Sequence, residues 1–122
     1  MAQPPIKSLS AITLGTHDMA RSLHFYGLLG FELKYGDADA QISSFHCGDS
    51  FLNLVRTPKS KPINWWGRVI FYVEDVDDMY QRILDAGLET QTKPRDAEWG
   101  ERYFHALDPD GHELSFAKPL NS

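Results

Sequence analysis

The sequence predicts an α+β fold built from two tandem β-α-β-β-β modules, whose strands form a curved, mostly antiparallel sheet around a cleft with the helices on the outside. The main observation is an internal duplication. Residues 11–19 align with residues 68–76 at a shift of 57 residues, and each copy is a short β-rich run followed by an acidic helix start. Two further matches follow in the same order along the chain, residues 30–32 with 87–89 and residues 45–49 with 104–108. Such a repeat indicates two copies of one supersecondary unit.

The first module is expected to begin with a strand in which Ile12 and Leu14 face the core. Asp18 is the candidate N-cap of the helix that follows, because its side chain can accept from a free backbone N–H of the first turn. The apolar side of this helix is supplied by Leu23, Tyr26, Leu28 and Leu29. A β-rich run at residues 51–55 is the last strand of the module.

The second module repeats this order, starting from a strand in which Val69 and Phe71 face the core. Asp75 or Asp77 is the candidate N-cap of its helix, and Gly87 suits the left-handed residue that follows a helix. Apolar residues recur at helical spacing at Val76, Met79, Tyr80, Ile83 and Leu84. This spacing predicts an amphipathic helix.

A hairpin is expected at the end of the second module. Asp108-Pro109-Asp110-Gly111 is a turn sequence, because proline presets φ and glycine tolerates positive φ. The turn joins residues 102–107 to residues 112–117, in which Leu114 and Phe116 face the core. His112 follows the turn directly and is expected to be structural.

The length and charge of the chain limit its function class. The 122 residues fit one domain, which we assign to residues 1–122. Within it we expect module one at about 8–57, a linker at about 58–64 and module two at about 65–119. The net charge of −5 argues against nucleic acid or an anionic membrane surface as a partner, since both require a basic surface.

Cys47 is the only cysteine, so neither an intramolecular disulfide nor a thiolate zinc cluster can form. Residues 1–8 lack the apolar core of a signal peptide. No apolar run approaches the ~20 residues of a membrane span. We therefore expect a cytoplasmic protein.

Strand parity predicts which residues face away from the helices, because successive strand residues point to opposite sides of a sheet. The expected concave set is Thr13, Asn53, Arg68, Tyr72, Tyr103, His105 and Ser115, although parity alone is ambiguous for residues 102–107. An aromatic lining with a few polar groups is typical of a small-molecule pocket. The alternative is that this side of the sheet is simply solvated.

Three segments carry a family resemblance. Residues 12–31, 69–77 and 99–114, in this order and spacing, resemble the first module, the start of the second module and the closing hairpin of the vicinal-oxygen-chelate superfamily. This superfamily includes glyoxalases, bleomycin resistance proteins and extradiol dioxygenases. The resemblance covers about residues 10–119 and implies the duplicated fold and a homodimer. It leaves the activity open, because one fold hosts many functions.

The resemblance also implies four metal-ligand positions, where the enzymes of the superfamily carry His, Glu or Gln. In this chain they fall on Ala11, Asn53, Arg68 and Ser115. Alanine has no donor atom, and the arginine guanidinium is always cationic and donates no lone pair. We therefore expect no metal and no other cofactor. A divalent metal would require displaced ligands, with His46 and His105 as the first candidates.

Aromatic and charged residues supply further candidates. Trp65, Trp66 and Trp99 are candidate walls for a planar or cationic ligand, the alternative being that they pack at a dimer interface or cover the barrel mouth. Arg68 is interpreted either as an anion-binding group or as the partner of a salt bridge to Glu113.

We prefer the hypothesis of a metal-free, homodimeric protein that binds a small molecule, with no nucleic acid or membrane partner. The expected ligand-binding residues are Thr13, Asn53, Arg68, Tyr72, Trp65, Trp66, Trp99 and Ser115. The alternative is an enzyme of the same superfamily, a lyase, isomerase or dioxygenase acting on a small oxygenated substrate. It would use a displaced metal or acid–base chemistry from His105, Tyr103 and Glu113. A third hypothesis is a structural or regulatory protein whose concave face is filled by its own side chains.

Overall fold

A computed structural model of the chain describes residues 3–121. The elements follow in the order β1 (Ala11–Thr16), α1 (Met19–Leu28), β2 (Glu32–Tyr35), β3 (Ile42–Cys47), β4 (Ser50–Arg56), β5 (Arg68–Tyr72), α2 (Val76–Asp85), β6 (Arg95–Asp96), β7 (Glu101–Leu107) and β8 (Glu113–Pro119). Each half has the order β-α-β-β-β, and this confirms the predicted α+β fold class.

Each module forms its own four-stranded mixed sheet. The strand orders are β1-β4-β3-β2 and β5-β8-β7-β6, so the two sheets have the same topology. In each sheet the first strand of the module pairs in parallel with the last, and the other pairs are antiparallel. The predicted curved sheet therefore consists of two separate sheets related by the duplication.

Both helices begin at aspartate caps. The side chain of Asp18 accepts from the backbone N–H of Arg21 at 3.0 Å, and that of Asp75 accepts from Asp78 at the same distance. Asp75 is therefore the cap, and Asp77 lies in the first turn. Gly87 has a φ of +79°, as the predicted left-handed end requires. Within residues 3–121, no helix is long and apolar enough to cross a membrane.

One cluster of buried residues includes both modules. Its members come from the predicted core positions of the strands, among them Leu14, Val69, Phe71, Leu114 and Phe116. The rings of Phe31 and Phe71, one from each module, lie 5.0 Å apart. Leu84 is exposed although it belongs to the predicted apolar stripe, so α2 buries a narrower side than its pattern suggested.

The turn between β7 and β8 also joins the two modules. The carboxylate of Asp110 accepts from Thr16 Oγ1 at 2.6 Å, the His17 backbone N–H at 3.1 Å, Arg21 Nη2 at 2.9 Å and Ser22 Oγ at 3.1 Å. These donors come from the end of β1, the residue after it and the first turn of α1, and only the His17 donor is a backbone N–H. The turn therefore holds the second module against the first helix.

A hydrogen bond between Tyr26 and Asp108 adds to this contact between the modules. The buried carboxylate of Asp108 accepts from the Tyr26 hydroxyl at 2.7 Å. Burial raises the pKa of Tyr26, and the nearby Asp108 carboxylate raises it further. Burial also raises the pKa of Asp108, against the opposing effect of the hydrogen bond from Tyr26. Because Tyr26 belongs to α1, this bond is a second polar link between the modules.

Candidate functional site

The candidate site is the side of the β5–β8 sheet that faces away from the core, called here the second face. It carries all five residues that parity predicted for this module, Arg68, Tyr72, Tyr103, His105 and Ser115. Parity alone was ambiguous for β7. Phe104 and Ala106 are buried in the core, so Tyr103 and His105 lie on the opposite side.

Cross-strand register arranges these residues in rows. One row consists of Tyr72, Ala117, Tyr103 and Arg95, and the next consists of Ile70, Ser115 and His105. The two residues of the central strand β8, Ser115 and Ala117, are small and buried. Tyr72 donates its hydroxyl to Glu101 on β7, so its side chain spans β8. The second face is therefore a surface covered by aromatic side chains and their polar groups, and it is not an empty groove.

Arg68 is held by four groups of its own chain. Its Nη1 donates to Ser115 Oγ at 2.9 Å, to the Leu114 carbonyl at 3.0 Å and to His105 Nδ1 at 3.0 Å. Its Nη2 lies 3.2 Å from Glu113 Oε1. The salt bridge to Glu113, one of the two interpretations of Arg68, is thus present, and the carboxylate balances the guanidinium charge.

These contacts determine the protonation of His105. A guanidinium only donates hydrogen bonds, so its contact favours Nδ1 as the acceptor, and we assign the ring proton to Nε2. Ser115 Oγ lies 2.7 Å from the same Nδ1. Burial lowers the pKa of His105, the charges of Arg68 and Arg95 lower it further, and Glu113 acts in the opposite direction. At neutral pH the ring is therefore an uncharged N–H donor.

A pH titration of His105 by NMR tests this arrangement. We expect a pKa below the ordinary histidine value of about 6.5 and an Nε2–H tautomer in the neutral form. Glu113→Gln should lower the pKa further, because it removes the carboxylate that favours the imidazolium. Arg68→Met should raise it. A pKa that rises in Glu113→Gln would contradict the geometry.

The far end of the second face is organised by Glu101. Its carboxylate accepts from Trp99 Nε1 at 3.1 Å and from the Tyr72 hydroxyl. The ring of Trp99 stacks on Tyr103 with a centroid distance of 5.4 Å and an interplanar angle of 30°. Arg95 Nε donates to the Tyr103 hydroxyl at 2.7 Å. Sequence reasoning did not assign Glu101 to the site, although it shares the strand parity of Tyr103.

The adjacent tryptophans are fixed by the hairpin. Trp65 donates its indole N–H to Glu113, and Trp66 donates its own to His112 Nδ1 at 2.7 Å. His112 Nε2 lies 2.8 Å from the Gly15 carbonyl, so both ring nitrogens of this buried residue have partners. The expected structural role of His112 matches these contacts.

The corresponding side of the β1–β4 sheet, called here the first face, is more polar at its centre. Asn53 Oδ1 accepts from Ser44 Oγ at 2.7 Å, and Asn53 Nδ2 donates to Thr13 Oγ1 at 3.3 Å. Thr13 is exposed and Ser44 is buried. His46 lies near Phe51, with ring centroids 5.8 Å apart. The predicted residues Thr13 and Asn53 are therefore brought together, in the sheet opposite to the one that carries Arg68.

The four metal-ligand positions do not form a donor set that fits a divalent cation. Ala11 offers no donor, the Asn53 oxygen is already hydrogen-bonded, and the Arg68 guanidinium lies 2.9 Å from Ser115 Oγ. Within residues 3–121, no group of three or more His, Cys, Asp or Glu side chains is arranged to hold a metal ion. His46 and His105, the candidate replacements, lie in different sheets.

Comparison with known proteins gives a family and several relatives. The profile of the Glyoxalase/Bleomycin resistance protein/Dioxygenase superfamily matches residues 8–116. The chain is 44% identical to an uncharacterised protein of Mycobacterium bovis over an aligned segment of 48 residues. This segment is 39% of this chain and 32% of that protein. The chain is 39% identical to the bleomycin resistance protein of Geobacillus stearothermophilus over 51 aligned residues. These residues are 41% of this chain and 39% of that protein. Each match thus spans less than two fifths of the relative's length.

Solved structures share the fold across most of the chain. The lactoylglutathione lyase from Agrobacterium tumefaciens superimposes with a TM-score of 0.75 at 20% identity, covering 93% of this chain and 94% of that one. A bleomycin-binding protein complexed with bleomycin superimposes with a TM-score of 0.72 at 22% identity, covering 93% and 98%. At these identities the likeness is one of fold.

Proposed function

Because the chain belongs to the glyoxalase/bleomycin resistance protein/dioxygenase superfamily, we propose that it is a metal-free protein that binds a flat aromatic small molecule on the second face. The observation that carries this proposal is that the side chain of Trp99 is held in place while its ring stays exposed. Its ring stacks on Tyr103 and its N–H is held by Glu101, yet the residue is 69% exposed. A fixed, exposed ring offers a stacking surface at little cost in conformational entropy.

Other exposed rings and apolar side chains support the same surface. Trp65, Ile70 and Tyr72 are all more than half exposed on the second face. Exposed apolar groups concentrated on one face mark an interaction site. A relative of the same fold is described as a bleomycin-binding protein, and this precedent favours an organic ligand.

We place the ligand between the second face of one protomer and the first face of its partner in a homodimer. The first face carries the exposed side chains of Tyr35 and Ile42 beside the polar group of Thr13, Ser44 and Asn53. This combination gives an apolar wall with a few placed polar groups, which suits a ligand pocket.

A fluorescence titration tests the proposal. Acridine and metal-free bleomycin are added separately, and we expect at least acridine to quench tryptophan fluorescence saturably, because it can stack on Trp99. Elemental analysis of untagged protein incubated with Zn²⁺, Mn²⁺, Fe²⁺ and Ni²⁺ should find no stoichiometric metal. Failure of both probes to bind would contradict the proposal. One bound metal per chain would instead favour the alternative of an enzyme with displaced metal ligands.

An enzyme of the same superfamily is the second candidate, favoured by the uncharged His105 on this face. Its Nε2–H is suited to donate to a substrate oxygen, with Tyr103 and Glu113 nearby as the other acid–base candidates. Arg68 already pairs with Glu113, and Arg95 holds the Tyr103 hydroxyl, so binding is better supported than catalysis. An NMR titration that places the His105 proton on Nδ1 would instead make Nε2 an acceptor, so that His105 of such an enzyme would act as a base rather than as a donor.

A further inference from the structure

Two carboxylates of the second face have the same kind of partner but a different charge environment. Glu113 accepts the indole N–H of Trp65, and Glu101 accepts that of Trp99. Glu113 is neutralised by Arg68 at 3.2 Å. By contrast, within residues 3–121 no lysine, arginine or histidine nitrogen lies within 4.0 Å of the Glu101 carboxylate.

The cations at neighbouring strand positions are engaged elsewhere. They are Arg102, which pairs with Asp77 and Asp96, Lys118, which donates to the Glu74 carbonyl, and Arg95, which donates to the Tyr103 hydroxyl. Arg95 also lies over the Tyr103 ring, with its guanidinium carbon 5.4 Å from the ring centroid. The charge of Glu101 is therefore left without an ion-pair partner in the described part of the chain.

Two aromatic side chains contact this charge. Trp99 and Tyr72 both donate to Glu101 and are 69% and 66% exposed. Ring faces attract cations, and a carboxylate among them adds a direct Coulomb attraction. Neutral aromatic ligands would gain only the stacking.

We infer that the ligand of the second face is a flat organic cation whose charge lies against Glu101, and that Glu101 is the residue that selects it. This inference rests on the proposed function, since it assigns a ligand class to the same site. The opposite end of the face, where Arg68 and Glu113 balance each other, provides no net charge for such a choice.

Two probes of the same shape test the inference. N-methylacridinium carries a permanent positive charge, whereas acridine is uncharged at neutral pH. We expect the wild-type protein to bind the cation about fivefold more tightly than acridine, the combined effect of an exposed cation–π contact and an exposed ion pair. Glu101→Gln should lower this ratio to about twofold, the part that the cation–π contact alone supplies, because the amide keeps an oxygen acceptor for Trp99 but carries no charge.

A matched control separates this local effect from net charge. Glu89→Gln makes the same change in charge at an exposed residue of the loop after α2 and should keep the wild-type ratio. Equal affinities of the two probes in the wild type, or a preference for the cation that is undiminished in Glu101→Gln, would overturn the inference and leave the proposed function standing. Failure of both probes to bind would instead count against the proposed function itself.

Discussion

Replacing Asp110 by alanine is expected to lower the free energy of unfolding by about 3 kcal/mol. The side chain of Asp110 is 1% exposed and accepts hydrogen bonds from four donors at the start of α1. Alanine would leave the Thr16 and Ser22 hydroxyls and the His17 N–H without this acceptor. Urea unfolding followed by circular dichroism measures the change.

A turn carboxylate of the first module provides the control. Asp49 lies in the β3–β4 turn and is exposed, so Asp49→Ala should change stability by no more than about 0.5 kcal/mol. Asp110→Asn keeps one oxygen acceptor and should fall between the two. If Asp110→Ala and Asp49→Ala were equally stable, the turn would not be the anchor between the modules that the structure indicates.

The effect of Asp110 depends on pH in a defined direction. Burial raises the pKa of Asp110, but the hydrogen bonds from Thr16, His17 and Ser22 and the charge of Arg21 outweigh it, so the pKa is lowered overall. A carboxyl with a lowered folded-state pKa stabilises the protein above its unfolded pKa, and this contribution is lost as the pH falls through the folded value. The stability difference between wild type and Asp110→Asn should therefore be full at neutral pH and shrink as the pH falls below the unfolded-state value of about 3.9.

Strand parity predicted the buried side of both sheets because each sheet has one face on a continuous core. The duplication extended this reasoning from one module to the other, since Leu14 and Phe71 occupy comparable positions in β1 and β5. Helix caps were equally accessible to sequence reasoning, because Asp18 and Asp75 act on backbone groups only three residues away. Features that depend on residues close in sequence, such as strand parity and helix caps, were therefore predictable.

Contacts over long sequence separations were not. The sequence 108–111 signals a turn, and nothing in it tells that Asp110 meets α1 at a separation of about 90 residues. The bond between Trp66 and His112 is of the same kind, since it joins the segment before β5 to the hairpin across 46 residues. Such partners are chosen by the packing of the two modules, which the local pattern does not encode.

For the candidate site, the sequence predicted which residues share a face but not how their charges are paired. Parity placed Arg68 and Ser115 on one face and was ambiguous for Tyr103 and His105. The distribution of charge within that face depends on rotamers and register. Arg68 was left with two interpretations, and only the geometry shows its pairing with Glu113. Glu101 was not assigned to the site, because a charged residue beside Trp99 is usually exposed and solvated.

Replacing Trp99 by alanine is expected to weaken acridine binding by about 10- to 100-fold, the usual value of one stacking contact with a flat ring system. The ring is mounted on Tyr103, with centroids 5.4 Å apart, so its removal takes away the preorganised surface rather than a mobile side chain. The thermal midpoint should change little, because the ring is mostly exposed. Fluorescence of the remaining tryptophans or calorimetry measures the affinity.

The comparison with Trp65→Ala locates the ligand on the second face. Trp65 is 77% exposed and contacts Glu113 at the opposite end, so a ligand stacked on Trp99 should lose less affinity in Trp65→Ala than in Trp99→Ala. Trp99→Phe keeps a ring but loses the N–H that Glu101 holds, so its affinity should fall between wild type and Trp99→Ala. Equal losses in Trp65→Ala and Trp99→Ala would mean that the ligand spans both ends of the face. Wild-type affinity in Trp99→Ala would show that the ring of Trp99 is not the binding surface. Within residues 3–121, no other ring of this face is both mostly exposed and stacked on Tyr103.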